Sequence, residues 1–290
     1  MIATEFEYLA PGSLEEAVSL LRQHGDDAKL LAGGHSLIPI MKLRLARPRY
    51  LIDIGRVFGL DYIKEEGGAL AVGALTTHHA LETSQLLRSK QPLVPETAAV
   101  IADVQVRNRG TIGGSLAHAD PAADLPATVL ALEAEIVATG PGGRRAIKAA
   151  DFFVGLFATA LAPDEIVTEI RFPLAPSRTG SSYQKVPNKA SHYAIVGVAT
   201  VVTLGGDGKC QSARVGVTGT SGTAYRATEA EVALAGRAPD PTAIANASEL
   251  ATSGVDALSD IHASAEFRLH LTKVHARRAL ELAVSRARAA

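Results

Sequence analysis

The chain has 290 residues, and its 29 basic and 30 acidic side chains leave a formal net charge of -1. That balance excludes recruitment by nucleic acid or by an anionic membrane through bulk charge, and a 4% aromatic content without Trp excludes a base-stacking platform. Cys210 is the only cysteine, so this chain forms no internal disulfide and by itself holds no iron–sulfur cluster or zinc–thiolate site.

A reducing, cytoplasmic setting fits that cysteine usage. The opening MIATEFEYLAPGS lacks the basic head and apolar core of a signal peptide. The longest apolar run, residues 193–204, is too short to cross a bilayer.

Residues 6–9 read as a strand ended by Pro11-Gly12. Ser13 then caps a helix with Glu15 and Glu16 in its first turn, Leu14, Val18 and Leu21 on one face, and Gly25 as its stop. A strand over 29–31 runs into Ala32-Gly33-Gly34-His35-Ser36. A short amphipathic helix over 37–45 carries Lys42, Arg44 and Arg47, and a strand over 50–54 follows. The unit is β-α-β with a glycine turn at the strand exit. Neither G-x-G-x-x-G with its acidic partner nor G-x-x-x-x-G-K-[ST] is present.

The pattern then changes. Segments 60–64 and 69–72 form a hairpin across Gly67-Gly68, Thr76 or Thr77 caps a helix over 78–84, and 93–104 reads as one buried helix. After Arg109-Gly110 comes TIGGSLAHADPAAD, residues 111–124, with a second Gly-Gly pair and a Pro-x-x-Asp ending. A helix over 125–132, a hairpin of 133–139 with 144–148, and a strand over 166–172 complete this part. Residues 173–180, rich in Pro, Ser and Gly, read as a linker. Strands 182–186, 194–204 and 213–218 predict a three-stranded antiparallel sheet. Helices follow over 228–235, 243–251 and 265–287, the last with Phe267, Leu271, Val274, Leu280 and Val284 as its apolar stripe.

Two Gly-Gly turns, each followed by a small hydroxyl residue, point to two loops closing on one anionic ligand. Glycine lets backbone N–H groups approach phosphate oxygens, and successive N–H groups make an anion-binding concavity. The second pair also opens a helix, whose free N–H groups would add to the site. His118, Asp120 and Asp124 match no recurring zinc or calcium spacing, so no metal site is predicted. Asp124 reads as an acceptor for a cofactor hydroxyl and Asp120 as a capping carboxylate beside Pro121. His78-His79 reads as helix surface or turn, because adjacent helical residues point in different directions. Gly216-x-x-Gly219-x-x-Gly222 needs only a turn, and Cys210 is incidental.

With these pieces in order, the chain resembles the medium, FAD-binding subunit of molybdenum hydroxylases, of the carbon monoxide dehydrogenase and xanthine dehydrogenase family. The resemblance is carried by KLLAGGHSLIPIMKLRLARP (29–48), LIDI (51–54), GALTTH (73–78), VRNRGTIGGSLAHADPAADLPA (106–127), DEIVTEIRFP (164–173) and YQKVPNKASHYAIVGVA (183–199). It implies an α+β fold: a two-subdomain FAD-binding domain of the p-cresol methylhydroxylase or vanillyl-alcohol oxidase type over 1–176, with subdomains of about 1–55 and 56–176. A smaller C-terminal domain over 177–290 carries the three-stranded sheet and helices.

By the same resemblance, FAD is held without a covalent bond. Its contacts are Lys29, Leu30, Leu31, Ala32, Gly33, Gly34, His35 and Ser36 on the first loop, and Thr111, Ile112, Gly113, Gly114 and Ser115 on the second. Asp124, Val167, Lys185 and Tyr193 join them, with Lys185 expected to stabilise reduced anionic flavin. Several relatives carry Asn or Asp where Ser115 stands. No catalytic residue is expected beyond the flavin. Iron–sulfur clusters and molybdopterin are expected on a small [2Fe–2S] subunit and a large subunit, in a dimer of heterotrimers. The implied function is to take electrons from those clusters and pass them to an external acceptor. A standalone FAD-dependent oxidase or reductase of the same fold is the alternative.

Overall fold

A computed structural model describes residues 2–290. The first layer is a parallel sheet of β1 (Glu7–Leu9), β2 (Ala28–Leu31) and β3 (Tyr50–Asp53), in the order β1-β3-β2. Helix α1 (Leu14–His24) joins β1 to β2. Ser13 Oγ accepts from Glu16 N at 3.1 Å, and Gly25 ends the helix at φ 52°. Ala17, Val18 and Leu21 bury α1 against Ala28 and Ile52. Helix α2 (Leu37–Lys42) is shorter than the pattern predicts. The chain leaves it through Arg44 at φ 61°, where Leu43 and Leu45 face solvent and no core rewards another turn.

The second layer is a five-stranded antiparallel sheet in the order β4-β5-β10-β6-β7. Its strands are β4 (Ile63–Glu66), β5 (Ala69–Gly73), β6 (Glu135–Gly140), β7 (Gly143–Lys148) and β10 (Ile166–Pro173), with the small hairpin β8 (Phe153–Gly155) and β9 (Ala158–Thr159) between the last two in sequence. Its helices are α3 (His78–Thr83), α4 (Gln85–Lys90), α5 (Leu93–Ala99), α6 (Val104–Arg107), α7 (Ile112–His118), α8 (Leu125–Ala131) and α9 (Ala149–Phe152). Leu70, Val72, Ile136, Ile170 and Phe172 of the sheet share one core with Leu81, Leu93, Ile112, Leu116 and Leu125.

The single helix expected over 93–104 is two. The chain breaks after α5, and Ala102 takes φ 43°. Arg107, on α6, donates its Nη1 to the carbonyls of Ile101 and Ala102 at 3.0 and 3.3 Å. Those two acceptors are thus satisfied by a side chain instead of by a continued helix.

The carboxy-terminal part is an antiparallel sheet of β11 (Thr179–Pro187), β12 (Ala194–Leu204) and β13 (Cys210–Thr218), extended at the edge by the two-residue β14 (Tyr225–Arg226). Helices α10 (Thr228–Leu234), α11 (Pro241–Glu249) and the 25-residue α12 (Ala265–Ala289) cover it. The buried face of α12 is mostly small: Ala276, Ala279, Ala283 and Ala287, with Leu280 and Val284. Phe267, expected on that stripe, is 48% exposed. Small residues let α12 lie close on the sheet, and Gly180 of β11 is the partner feature: a Cβ there would overlap the Ala283 carbonyl. On its other face the sheet meets α8, where a Cβ on Gly216 would overlap the Ala127 carbonyl. No helix among the described residues is long and apolar enough to cross a membrane.

Candidate functional site

The first glycine turn lies where β2 ends. Gly34 takes φ +79°, the left-handed region that favours glycine, and the Gly34 carbonyl accepts from Ile38 N at 3.0 Å to start α2. Gly33 has a different reason to be glycine. A Cβ there would overlap the backbone carbonyl of Arg109, just before the second loop. The two loops therefore touch, and they touch because neither has a side chain at the crossing.

The second loop is a capped helix start, not a tight turn. Thr111 Oγ1 accepts from Gly114 N at 3.2 Å. Ile112 N donates to Thr76 O at 3.0 Å, Gly113 N to Ala74 O at 2.9 Å, and Ser115 N to Thr111 O at 3.0 Å. The N–H groups from Ile112 to Ser115 are thus all engaged within the protein. Gly113 is glycine because a Cβ would stand 2.5 Å from Ala74 Cβ. The N–H groups at the start of α7, expected to serve an anion, also close the helix start onto Thr76 and Ala74. By contrast, no backbone N–H from Gly33 to Ser36 donates to another protein group among the described residues. Partly exposed N–H groups without a protein acceptor are free to serve water or a bound anion.

Both loops line a cleft of ≈ 400 Å³ between the parallel sheet, the five-stranded sheet and the loop before β12. Lys29, Leu30, Ala32, Gly33, Gly34, His35 and Ser36 line it from one side, and Thr111, Gly113, Gly114 and Ser115 from the other. Asp124, Val167 and Tyr193 also line it. Val167 reaches it at a register shift between Val167 and Glu169, where β10 pairs with β6. Leu31, Ile112 and Lys185 stand outside the lining. Ile112 is fully buried in the core behind α7. Leu37, Ile40, Ile54, Leu75, Ile101 and Ile166 add an apolar wall.

Lys185 is held away from the cleft. Its Nζ lies 2.8 Å from Asp124 Oδ2 and 2.9 Å from Val100 O, and its side chain is 5% exposed. Tyr183 OH donates to Asp124 Oδ1 at 2.6 Å. Asp124 precedes α8 at the capping position yet caps nothing, because both carboxylate oxygens are turned to β11. Burial pushes the Asp124 carboxyl above its ordinary value, and the Lys185 ammonium and both hydrogen bonds pull against that rise. Burial, and then the Asp124 charge, push the Tyr183 phenol well up. Asp120 Oδ1 accepts from Ala122 N at 2.9 Å and shapes the loop next to Pro121.

Sequence reasoning missed His78. It is buried, 5% exposed, and lines the cleft instead of a helix surface. Thr77 caps α3 as expected, accepting from Ala80 N at 3.2 Å, and His78 N donates to Gly110 O at 2.9 Å. That backbone bond turns the first residue of α3 towards the glycine crossing, and no linear spacing announces it.

Unpaired donors on a glycine loop beside an apolar wall fit a dinucleotide that carries a flat ring system, as FAD does. The family described as "FAD binding domain in molybdopterin dehydrogenase" matches residues 4–175, and "CO dehydrogenase flavoprotein C-terminal domain" matches 181–283. The chain belongs to this flavin-binding family of molybdopterin dehydrogenases.

It is 43% identical over 288 residues to the carbon monoxide dehydrogenase medium chain of Afipia carboxidovorans, covering 99% of this chain and 100% of that one. It is 41% identical to the 6-hydroxypseudooxynicotine dehydrogenase complex subunit alpha of Paenarthrobacter nicotinovorans, covering 98% and 96%. Among solved structures, carbon monoxide dehydrogenase from Hydrogenophaga pseudoflava superposes with a TM-score of 0.96 at 44% identity, covering 99% of each chain. Quinoline 2-oxidoreductase from Pseudomonas putida 86 gives 0.92 at 35%, again covering 99% of each chain. The α+β fold with two flavin-domain sheets and a carboxy-terminal sheet is therefore that of the family's medium chains.

Proposed function

We propose that this chain is the FAD-carrying electron-transfer subunit of a molybdenum-containing hydroxylase. The observation that carries the reading is the row of unpaired N–H groups from Gly33 to Ser36, opening into a cleft in a chain that matches the family along its whole length. Bound FAD supplies a centre that takes electrons one at a time and gives them up in pairs. The protein's own work is binding and exclusion. Gly33 to Ser36 meet the negative diphosphate, and Leu37, Ile40, Ile101 and Val167 keep water from the ring. Asp124 and its partners on β11 hold the far wall.

The seventeen contacts expected from the resemblance remain our proposed site, with a narrower role for three. Leu31 and Ile112 act by packing behind the lining, and Lys185 acts through Asp124. The FAD-binding domain is proposed to span 1–176 and the carboxy-terminal domain 177–290. Electrons reach the chain from [2Fe–2S] clusters on a small partner, fed by a large molybdopterin subunit, in a cytoplasmic dimer of heterotrimers. The relatives' names speak of carbon monoxide, hydroxypseudooxynicotine and quinoline, and in this proposal substrate choice belongs to the large partner. Nothing in these matches supports a standalone oxidase.

The test is to incubate the purified chain with FAD and remove the excess by gel filtration. One flavin per chain is expected, released by acid precipitation, with a rise in thermal midpoint of the size ligand linkage gives. Colourless protein would overturn the reading, and flavin fixed in the acid pellet would overturn non-covalent binding.

A further inference from the structure

The His78 ring occupies the join between the glycine loops, and the proposed function leaves it without a role. It packs so tightly on Gly110 that a Cβ there would stand 2.9 Å from His78 Nε2. Its Nδ1 is sealed from solvent and has no hydrogen-bond partner among the described residues. Its Nε2 makes no protein hydrogen bond either, but it is not sealed, and the residue borders the cleft.

A neutral imidazole has one N–H and one bare nitrogen. A buried N–H without an acceptor is the rarer and costlier orphan. The sealed Nδ1 therefore carries the lone pair, and Nε2 carries the proton on the cleft side. Burial, then the neighbouring His35 and Arg107, lower the ring's pKa from 6.5 to about 4. Arg107 is itself paired with Glu82 at 2.9 Å. The ring thus stays neutral through the physiological range.

We infer that His78 is a binding residue for FAD, whose Nε2–H donates to a phosphate oxygen of the cofactor where the two glycine loops cross. The inference rests on reading the cleft as an FAD site. The asymmetry of the loops gives it a reason. The N–H groups from Ile112 to Ser115 already bond within the protein, so a further donor with a free proton strengthens that side. His78 stands on that side, against Gly110.

The test measures FAD affinity of the full-length chain, stripped of flavin, by fluorescence quenching. His78→Leu is expected to weaken binding by about tenfold or more, the scale of a hydrogen bond to a charged acceptor. His78→Gln, whose amide N–H reaches the place of Nε2, is expected to stay within about threefold of wild type, by recovering most of that bond. Equal affinity in wild type and His78→Leu overturns the inference. So does a loss in His78→Leu that His78→Gln fails to rescue, since that marks a purely structural role. Leucine removes a ring packed on Gly110 as well as a donor, so the unmodified protein gives an independent reading. With ¹⁵N-labelled histidine, the His78 signals, assigned by their absence in His78→Gln, are expected to report the Nε2–H tautomer, with Nε2 shifting on FAD addition. An Nδ1–H tautomer, or no shift on saturation with FAD, overturns it. Wild-type protein that binds no FAD at all instead overturns the flavin reading, so the two failures are distinct.

Discussion

The two glycine loops share letters and differ in physics. AGGHS is an open turn: Gly34 has a left-handed backbone, and its N–H neighbours have no protein acceptors. TIGGS is a closed helix start whose N–H groups are engaged and whose Gly113 exists to let Ala74 approach. The first loop leaves its donors free, and the second engages its donors within the protein. The segment after its helix, residues 121–124, is anchored elsewhere. Thr218 Oγ1 lies 2.6 and 2.8 Å from Pro121 O and Ala123 O and shares its one proton between them, Ala194 N donates to Ala122 O at 3.0 Å, and Lys185 and Tyr183 hold Asp124. A repeated motif is therefore weak grounds for a repeated role. What decides the role is where each N–H goes.

The strongest way to sharpen this contrast is to cut the anchor. Lys185→Met leaves the Asp124 carboxylate buried without its cation, and should cost about 3–5 kcal/mol in chemical unfolding. Adding Asp124→Asn should recover most of that loss. If the single variant is as stable as wild type, the pair anchors nothing.

The join between the loops should show in acid. The folded-state pKa of His78 is about 4 against 6.5 for the free side chain, so the unfolded chain takes the proton first as pH falls. The stability is complete above pH 6.5 and is lost progressively towards pH 4, by roughly 3 kcal/mol from this residue. Unfolding measured at several pH values should give a shallower acid slope in His78→Gln than in wild type, and equal slopes would contradict the burial of a neutral ring.

A paired substitution tests the asymmetry itself. Gly33→Ala and Gly113→Ala each force an overlap of the kind that costs about 1–3 kcal/mol. The first should appear mainly as lost FAD affinity, read by flavin fluorescence, and the second mainly as a lower thermal midpoint. Equal loss of FAD by both folded variants would break the comparison. The smallest effect is expected from Thr218→Val, which removes the hydroxyl that serves Pro121 and Ala123. It should lower stability by about 1 kcal/mol, without changing flavin content at saturating FAD.

Much of this architecture was legible beforehand for local reasons. Ser13 caps α1 as expected, Thr77 is the one of its two candidates that caps α3, the Gly67-Gly68 turn joins β4 to β5, and the three expected carboxy-terminal strands became β11 to β13. Those signals need only neighbouring residues. What stayed hidden depends on contacts far along the chain. The break after α5 is stabilised by Arg107, the closeness of α12 to the sheet is set by Gly180, and the fate of the N–H groups on α7 is set by Ala74 and Thr76. The site was legible as a pair of loops, and most of its expected residues do line one cleft. The pairing of Lys185 with Asp124 stayed hidden because the two residues are 61 positions apart and meet only in the fold. His78 was overlooked because its direction is set by Gly110 and not by its own helix.

The anchoring of the second loop also has a consequence in time. A ribosome delivers both glycine loops long before Thr218, and later still Arg286, whose guanidinium pins Glu96 and the Ser181 carbonyl at 2.5 Å each. Until Tyr183, Lys185 and then Thr218 arrive, the stretch around Asp124 lacks the partners that brace it. The nascent chain thus passes through much of its synthesis with that wall of the cleft unbraced.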